Sequence, residues 1–168
     1  MHITLSVGAF TNNSEKPYYD YGGDDWKAVA LLSRGTGSVL ESQAPVPASS
    51  KDVYAPLRTN RTYKLTNAWY LGNLGVKEVH LNDQRRDMIK RAIKEYGAVS
   101  VGIHFNEKDY YNEVTYGYMT NGSPSYTNHA VTIVGWDDSY SKDNFKESCK
   151  PNDNGAWIVR NSWGDWWG

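Results

Sequence analysis

The sequence predicts an α+β chain, and three observations carry that expectation. An amphipathic helical pattern runs over 83–96, an alternating strand follows it directly, and two further β-rich runs lie near the C-terminus at 129–136 and 156–160. Upstream the chain reads as loops around one short helix. The expected organisation is a helix-and-loop N-terminal lobe, 1–75, and a β-rich C-terminal lobe, 76–168, with the change of character falling near 68–76.

Residues 18–34, YYDYGGDDWKAVALLSR, open as a loop with the pair Gly22-Gly23 and continue as a helix from about Trp26 to Ser33. Asp24 or Asp25 is placed to accept its first free amides. The stretch GTGSVLESQAPVPASS is punctuated by glycine and proline, and loop continues to about Asn67. The clearest helix starts at Asn82 or Asp83 and stops at Gly97, where a left-handed cap needs glycine. Met88, Ile89, Ala92, Ile93 and Tyr96 share its apolar face, while Arg85, Lys90 and Lys94 face water. In AVSVGIHF, Val99, Val101 and Ile103 fall on one side of a strand. The runs from His129 to Trp136 and from Ala156 to Arg160 are rich in β-branched and aromatic residues and are separated by a polar loop. No internal repeat or low-complexity segment is present.

Composition narrows the function classes. Lys and Arg number 18 against 19 Asp and Glu, a net charge of −1, which argues against nucleic-acid partners and membrane-surface binding. No run approaches the roughly 20 apolar residues of a bilayer span, and the N-terminus lacks a secretory signal's basic-then-apolar order. The single cysteine, Cys149, excludes an intramolecular disulfide and a multi-thiolate metal site. Thirteen Tyr and 7 Trp against 3 Phe favour rings with a polar edge, suited to grooves that grip peptide or sugar chains.

Chemistry is expected where the two C-terminal strands meet. If they pair antiparallel, the start of the first lies beside the end of the second, and His129 meets Asn161. A carboxamide beside an imidazole fixes which ring nitrogen holds the proton, leaving the other to take one from a nucleophile. Trp163, on the same strand face as Asn161, is placed to shield that bond from water.

NHAVTIVGWDD followed by GAWIVRNSWGDWWG resembles the papain-like cysteine peptidases, whose histidine sits in an N-H-A-V strand and whose asparagine sits in an N-S-W-G turn. YGGDDWKAVALLSRGTGSVLES, AIKEYGAVSVGIHFNEKDYYN and SYSKDNFKES look like the family's bacterial secreted and cell-surface branch. The resemblance implies a two-lobe papain-like fold with a half-barrel C-terminal lobe. It also implies a cysteine endopeptidase acting on peptide or protein without cofactor or metal, at an extracellular or cell-surface location. His129 and Asn161 match the catalytic histidine and asparagine, and Gly22 and Gly23 match the glycines that bind substrate backbone. The resemblance also implies Asn128 and Trp163 as substrate-binding residues.

The family's nucleophile, in a Q-x-x-C-G-S-C-W-like stretch, has no counterpart in these residues. The resemblance therefore implies a piece of the domain, shortened at both ends, inert alone and able to associate with the segment carrying the thiol. Cys149, in the charged stretch NFKESCKPNDNG at the far end of the two strands, reads as a surface thiol. The alternative is a non-catalytic homologue that holds peptide or glycan in the same groove. His104 reads as a sheet-face residue, and His2 and His80 lack the further ligands of a zinc site. Asp24-Asp25 and Asp137-Asp138 read as a helix cap and a strand end, and GTGSVLES is too poor in glycine for a phosphate loop.

Overall fold

The computed structural model describes residues 25–33, 63–72, 83–120, 126–164 and 166–167. The chain divides into two compact units, Met1–Tyr70 and Leu71–Gly168. In the first, Asp25–Leu31 forms helix α1 with Asp25 in its first turn. The Trp26 ring lies 5.0 Å from that of Tyr70, and both are largely exposed. Gly22, Gly23, His2, His80 and the stretch 35–50 lie outside the described residues.

The second unit is built on helix α2, Asp83–Tyr96, and an antiparallel sheet of β1 (Val99–Ile103), β2 (His129–Asp137) and β3 (Ala156–Arg160) in that order. Gly97 stops α2 with φ +91°, and its amide donates to the Ile93 carbonyl at 2.8 Å. Two residues later the chain is extended. Ile89, Ile93 and Ile133 form the core, with Val99, Val101, Trp136 and Trp157 packed around them. Tyr96, assigned above to the buried face, is instead exposed, because it occupies the last helical position, beyond the reach of the sheet.

Ile133 and Trp136 both join this core although they are three residues apart on β2. Pairing runs Ile133 with Val159 and then Gly135 with Ile158, so Val134 is an extra residue on β2. That bulge shifts the side-chain alternation by one and brings Trp136 opposite Trp157 on the helix side. Lys90 does not simply face water. Its ammonium bonds both carboxylate oxygens of Asp138, at 2.7 and 2.8 Å, and stands 5.3 Å from the Trp136 ring centre.

The polar loop between β2 and β3 is closely organised. It contains two 3₁₀ turns, Lys142–Asn144 and Glu147–Cys149, and is closed at its neck by the Gly155 amide donating to the Tyr140 carbonyl at 2.8 Å. Lys150 bridges Asp143 and Glu147 at 3.0 and 2.9 Å, and its hydrogen bond and then its charge hold the Asp143 carboxyl below the ordinary range. The loop packs on the segment after β1, which contains the short helix α3, Glu107–Tyr110. The Asn144 carbonyl accepts from Asn112 Nδ2 at 3.0 Å and from Thr115 Oγ1, and the Tyr140 hydroxyl donates to the Thr115 carbonyl at 2.9 Å. Cys149 is accordingly a buried thiol, 3% exposed, and not the surface group its charged neighbours suggest. Its Sγ points at the Lys146 and Tyr110 carbonyls, at 3.5 and 3.9 Å, because the second 3₁₀ turn rolls it inward.

Ile89 is 1% exposed at the centre of this core, so Ile89→Ala is expected to lower the unfolding free energy by about 2–5 kcal/mol in a denaturant titration. A Cβ at Gly117 would stand 2.7 Å from the Asn144 carbonyl oxygen, which two hydrogen bonds hold in place. Gly117→Ala is therefore expected to cost about 1–3 kcal/mol in the same measurement.

Candidate active site

His129 begins β2, paired with Ile103 at the end of β1, and Asn161 follows the last residue of β3. Because Thr132 pairs with Arg160, the chain beyond β3 runs alongside residues 129–131, and the expected meeting occurs. His129 Nε2 and Asn161 Oδ1 are 2.9 Å apart, and both residues are half-buried.

A second contact assigns the proton. The Ser162 backbone amide, which can only donate, points at the same Asn161 atom at 2.8 Å. That atom must therefore be the carboxamide oxygen, and an oxygen facing Nε2 requires Nε2 to carry hydrogen. Neutral His129 is thus the Nε2–H tautomer, and Nδ1 keeps the lone pair. If Nδ1 gains a proton, the Nε2–H bond to Asn161 is undisturbed, since the acceptor serves the neutral and the charged ring alike.

Two aromatic rings lie against the imidazole. Trp163 lies 4.9 Å from His129 between ring centres and Phe105 lies 5.7 Å from it. Phe105 also contacts Trp163 at 5.2 Å, Trp167 at 6.0 Å and Tyr118 at 4.9 Å, the last in a near-parallel stack. Tyr111 stacks on Trp167 at 5.0 Å and also approaches Phe105 at 6.3 Å. The SWGDWW segment brings both indoles to one place by turning at Gly164, whose φ is +97° and whose missing Cβ would stand 2.8 Å from the Trp166 indole nitrogen. The Tyr118 hydroxyl donates to the His104 carbonyl and accepts from the Asn106 amide. Burial raises its pKa, so it remains a donor at neutral pH.

Asn128, matched above to the substrate site, directs its carboxamide to the backbone of Phe105. Oδ1 accepts from the Phe105 amide at 2.6 Å and Nδ2 donates to its carbonyl at 2.9 Å. This two-point clamp ties the residue before His129 to the residue whose ring supports it. His104 lies just past β1, with its ring edge-on to Tyr126 at 4.8 Å. Among the described residues, no group of His, Cys, Asp and Glu side chains could hold a metal ion. Gly22 and Gly23, matched above to substrate contacts, lie outside the described residues.

Sequence reasoning missed Phe105, Tyr118 and Trp167. The aromatic density of HFNEKDYY and YGY is visible, but its relation to His129 depends on the β1–β2 register, which pairs Ile103 with His129.

Residues 14–168 match the family model for papain family cysteine proteases. Among curated proteins, the chain is 31% identical to the senescence-specific cysteine protease SAG12 of Arabidopsis thaliana over 164 residues, 98% of this chain and 43% of that protein. It is 30% identical to cathepsin J of Mus musculus over 131 residues, 77% of this chain and 34% of that protein. The chain thus spans less than half the length of either relative. The solved structure of the cysteine protease and lectin-like domains of Cwp84, a surface layer associated protein of Clostridium difficile, superposes with a TM-score of 0.69 at 29% identity, over 87% of this chain and 30% of that one.

Asn161→Ala removes the acceptor that fixes the imidazole. Nitrogen-15 NMR of the His129 ring is expected to show one Nε2–H tautomer in the native chain and a mixture of both in the variant.

Proposed function

The chain belongs to the papain family of cysteine proteases, and from that premise we propose that its second unit supplies the base-and-orienter half of a cysteine endopeptidase site, with His129 as proton carrier and Asn161 as orienter. The observation that carries this reading is the 2.9 Å contact from His129 Nε2 to an Asn161 oxygen whose identity Ser162 fixes.

In the proposed reaction a cysteine thiol gives its proton to His129 Nδ1, and the sulfur attacks the peptide carbonyl carbon. The C–N bond then breaks, and the imidazolium returns the proton from Nδ1 to the departing amine, leaving a thioester. Water, deprotonated by the same nitrogen, adds to the thioester and releases the carboxylic acid and the thiol. Asn161 accepts from Nε2–H throughout, so the ring changes charge without turning.

Cys149 is the only cysteine in the chain, and its buried contacts with the Lys146 and Tyr110 carbonyls argue against it as the nucleophile. On this reading the thiol is not Cys149, and Gly22 and Gly23 are proposed, from the family resemblance, to hold substrate backbone. Asn128 bounds the substrate side through its backbone, since its side chain is engaged with Phe105. Peptides or proteins are the substrate class that the family's chemistry supports. The surface-layer association of the clostridial relative supports a bacterial, cell-surface setting. No helix among the described residues is long and apolar enough to cross a membrane.

The test mixes the full chain with a separately made segment carrying the family's Q-x-x-C-G-S-C-W-like stretch, then follows labelling by a thiol-reactive peptide analogue. The chain alone is expected to show no histidine-dependent labelling. The pair is expected to label, and His129→Ala to slow labelling by about 10²–10⁴-fold. Stable association with peptide binding but no labelling would favour the non-catalytic homologue.

A further inference from the structure

Building on the reading of His129 as proton carrier, we propose that Phe105 is a positioning residue whose ring holds the imidazole in the single orientation that keeps Nε2 on Asn161 and Nδ1 free to accept a proton.

The torsion that turns a histidine ring is broad and roughly two-fold, so the backbone alone leaves the ring's plane unset. Its hydrogen bond to Asn161 competes with water, and a single neutral hydrogen bond is a weak lock. A half-turn of the ring exchanges Nε2 with a carbon and leaves the Asn161 oxygen without that donor. Something besides the hydrogen bond must oppose that half-turn.

Ring-to-ring distances identify what opposes it. His129 to Trp163, Trp163 to Phe105 and Phe105 to His129 are 4.9, 5.2 and 5.7 Å. Were the imidazole sandwiched, the outer rings would stand apart by close to the sum of the other two distances. Three nearly equal sides instead describe a triangle in which each ring touches both others. Phe105 therefore supports the imidazole twice, by direct contact and by fixing the Trp163 plane that also lies against it. Trp163 alone cannot replace it, since its own ring rests on Phe105.

Phe105 is in turn held from three sides. The Asn128 carboxamide binds its amide and carbonyl at 2.6 and 2.9 Å, Tyr118 stacks on its ring at 4.9 Å, and Trp167 meets it edge-on at 6.0 Å. Asn128 directly precedes His129, so the clamp fixes Phe105 relative to the residue it supports.

The experiment uses the full 168-residue chain labelled with nitrogen-15, with His129 resonances identified by their loss in His129→Ala. Phe105→Leu keeps an apolar side chain but removes the flat ring, Phe105→Ala removes the bulk, and Phe105→Tyr restores a ring. With thermal unfolding recorded beside each spectrum, the native chain and Phe105→Tyr are expected to show the fixed Nε2–H tautomer. Phe105→Leu and Phe105→Ala are expected to show a several-fold rise in the Nδ1–H form and faster ring exchange while still folded. A fixed tautomer retained in folded Phe105→Leu overturns the proposal and leaves the His129–Asn161 reading intact. Mixed tautomers in the native chain overturn both.

Discussion

One oxygen atom organises the site. Asn161 Oδ1 accepts from the Ser162 amide and faces His129 Nε2, and this double use turns an otherwise ambiguous contact into a statement about proton position. A carboxamide can present either end to an imidazole, and with its nitrogen toward the ring the opposite tautomer would result. The amide of the very next residue removes that freedom. The turn after β3 thus contributes a fixed dipole as well as a side chain, and the proton inventory of His129 follows from it.

Delivering that oxygen depends on register. The sheet must place the residue after β3 beside the first residues of β2, and a slip by one position would turn Asn161 to the opposite face. The register is held by burial on the helix side, where Ile133, Trp136 and Trp157 pack with Ile89 and Ile93. The bulge at Val134 is part of this, since without the extra residue Ile133 and Trp136 could not both reach the core. Packing beneath α2 and proton placement at the end of the sheet are consequences of the same pairing.

Much of this was legible from local pattern. The α2 limits follow from Asp83 and Gly97, and the three strands follow from alternation and β-branched content, because these signals act within a few residues. The His129–Asn161 encounter was legible once β2 and β3 were assumed to pair antiparallel. Features that depend on long-range registration were not legible. The bulge, the turning inward of Cys149, the retention of Lys90 against Trp136 and Asp138, and the convergence of Phe105, Tyr118 and Trp167 each need partners from distant segments. Cys149 is the clearest case. Its neighbours are charged, yet one 3₁₀ turn suffices to reverse which side of the loop it occupies.

The identity of the orienter bears on the nucleophile it serves. A carboxylate beside Nε2 would stabilise the imidazolium as well as aim the ring, which helps when the proton must come from a poorly acidic hydroxyl. A carboxamide aims the ring while adding no negative charge. That is sufficient for a thiol, whose ordinary pKa of about 8.5 lies close enough to neutrality for a well-placed imidazole to take its proton. A neutral orienter also leaves the imidazolium free to give the proton up again to the departing amine. On the proposed reading, a neutral orienter at Asn161 suits sulfur chemistry, and the aromatic contacts add the rigidity that a neutral hydrogen bond alone provides only weakly.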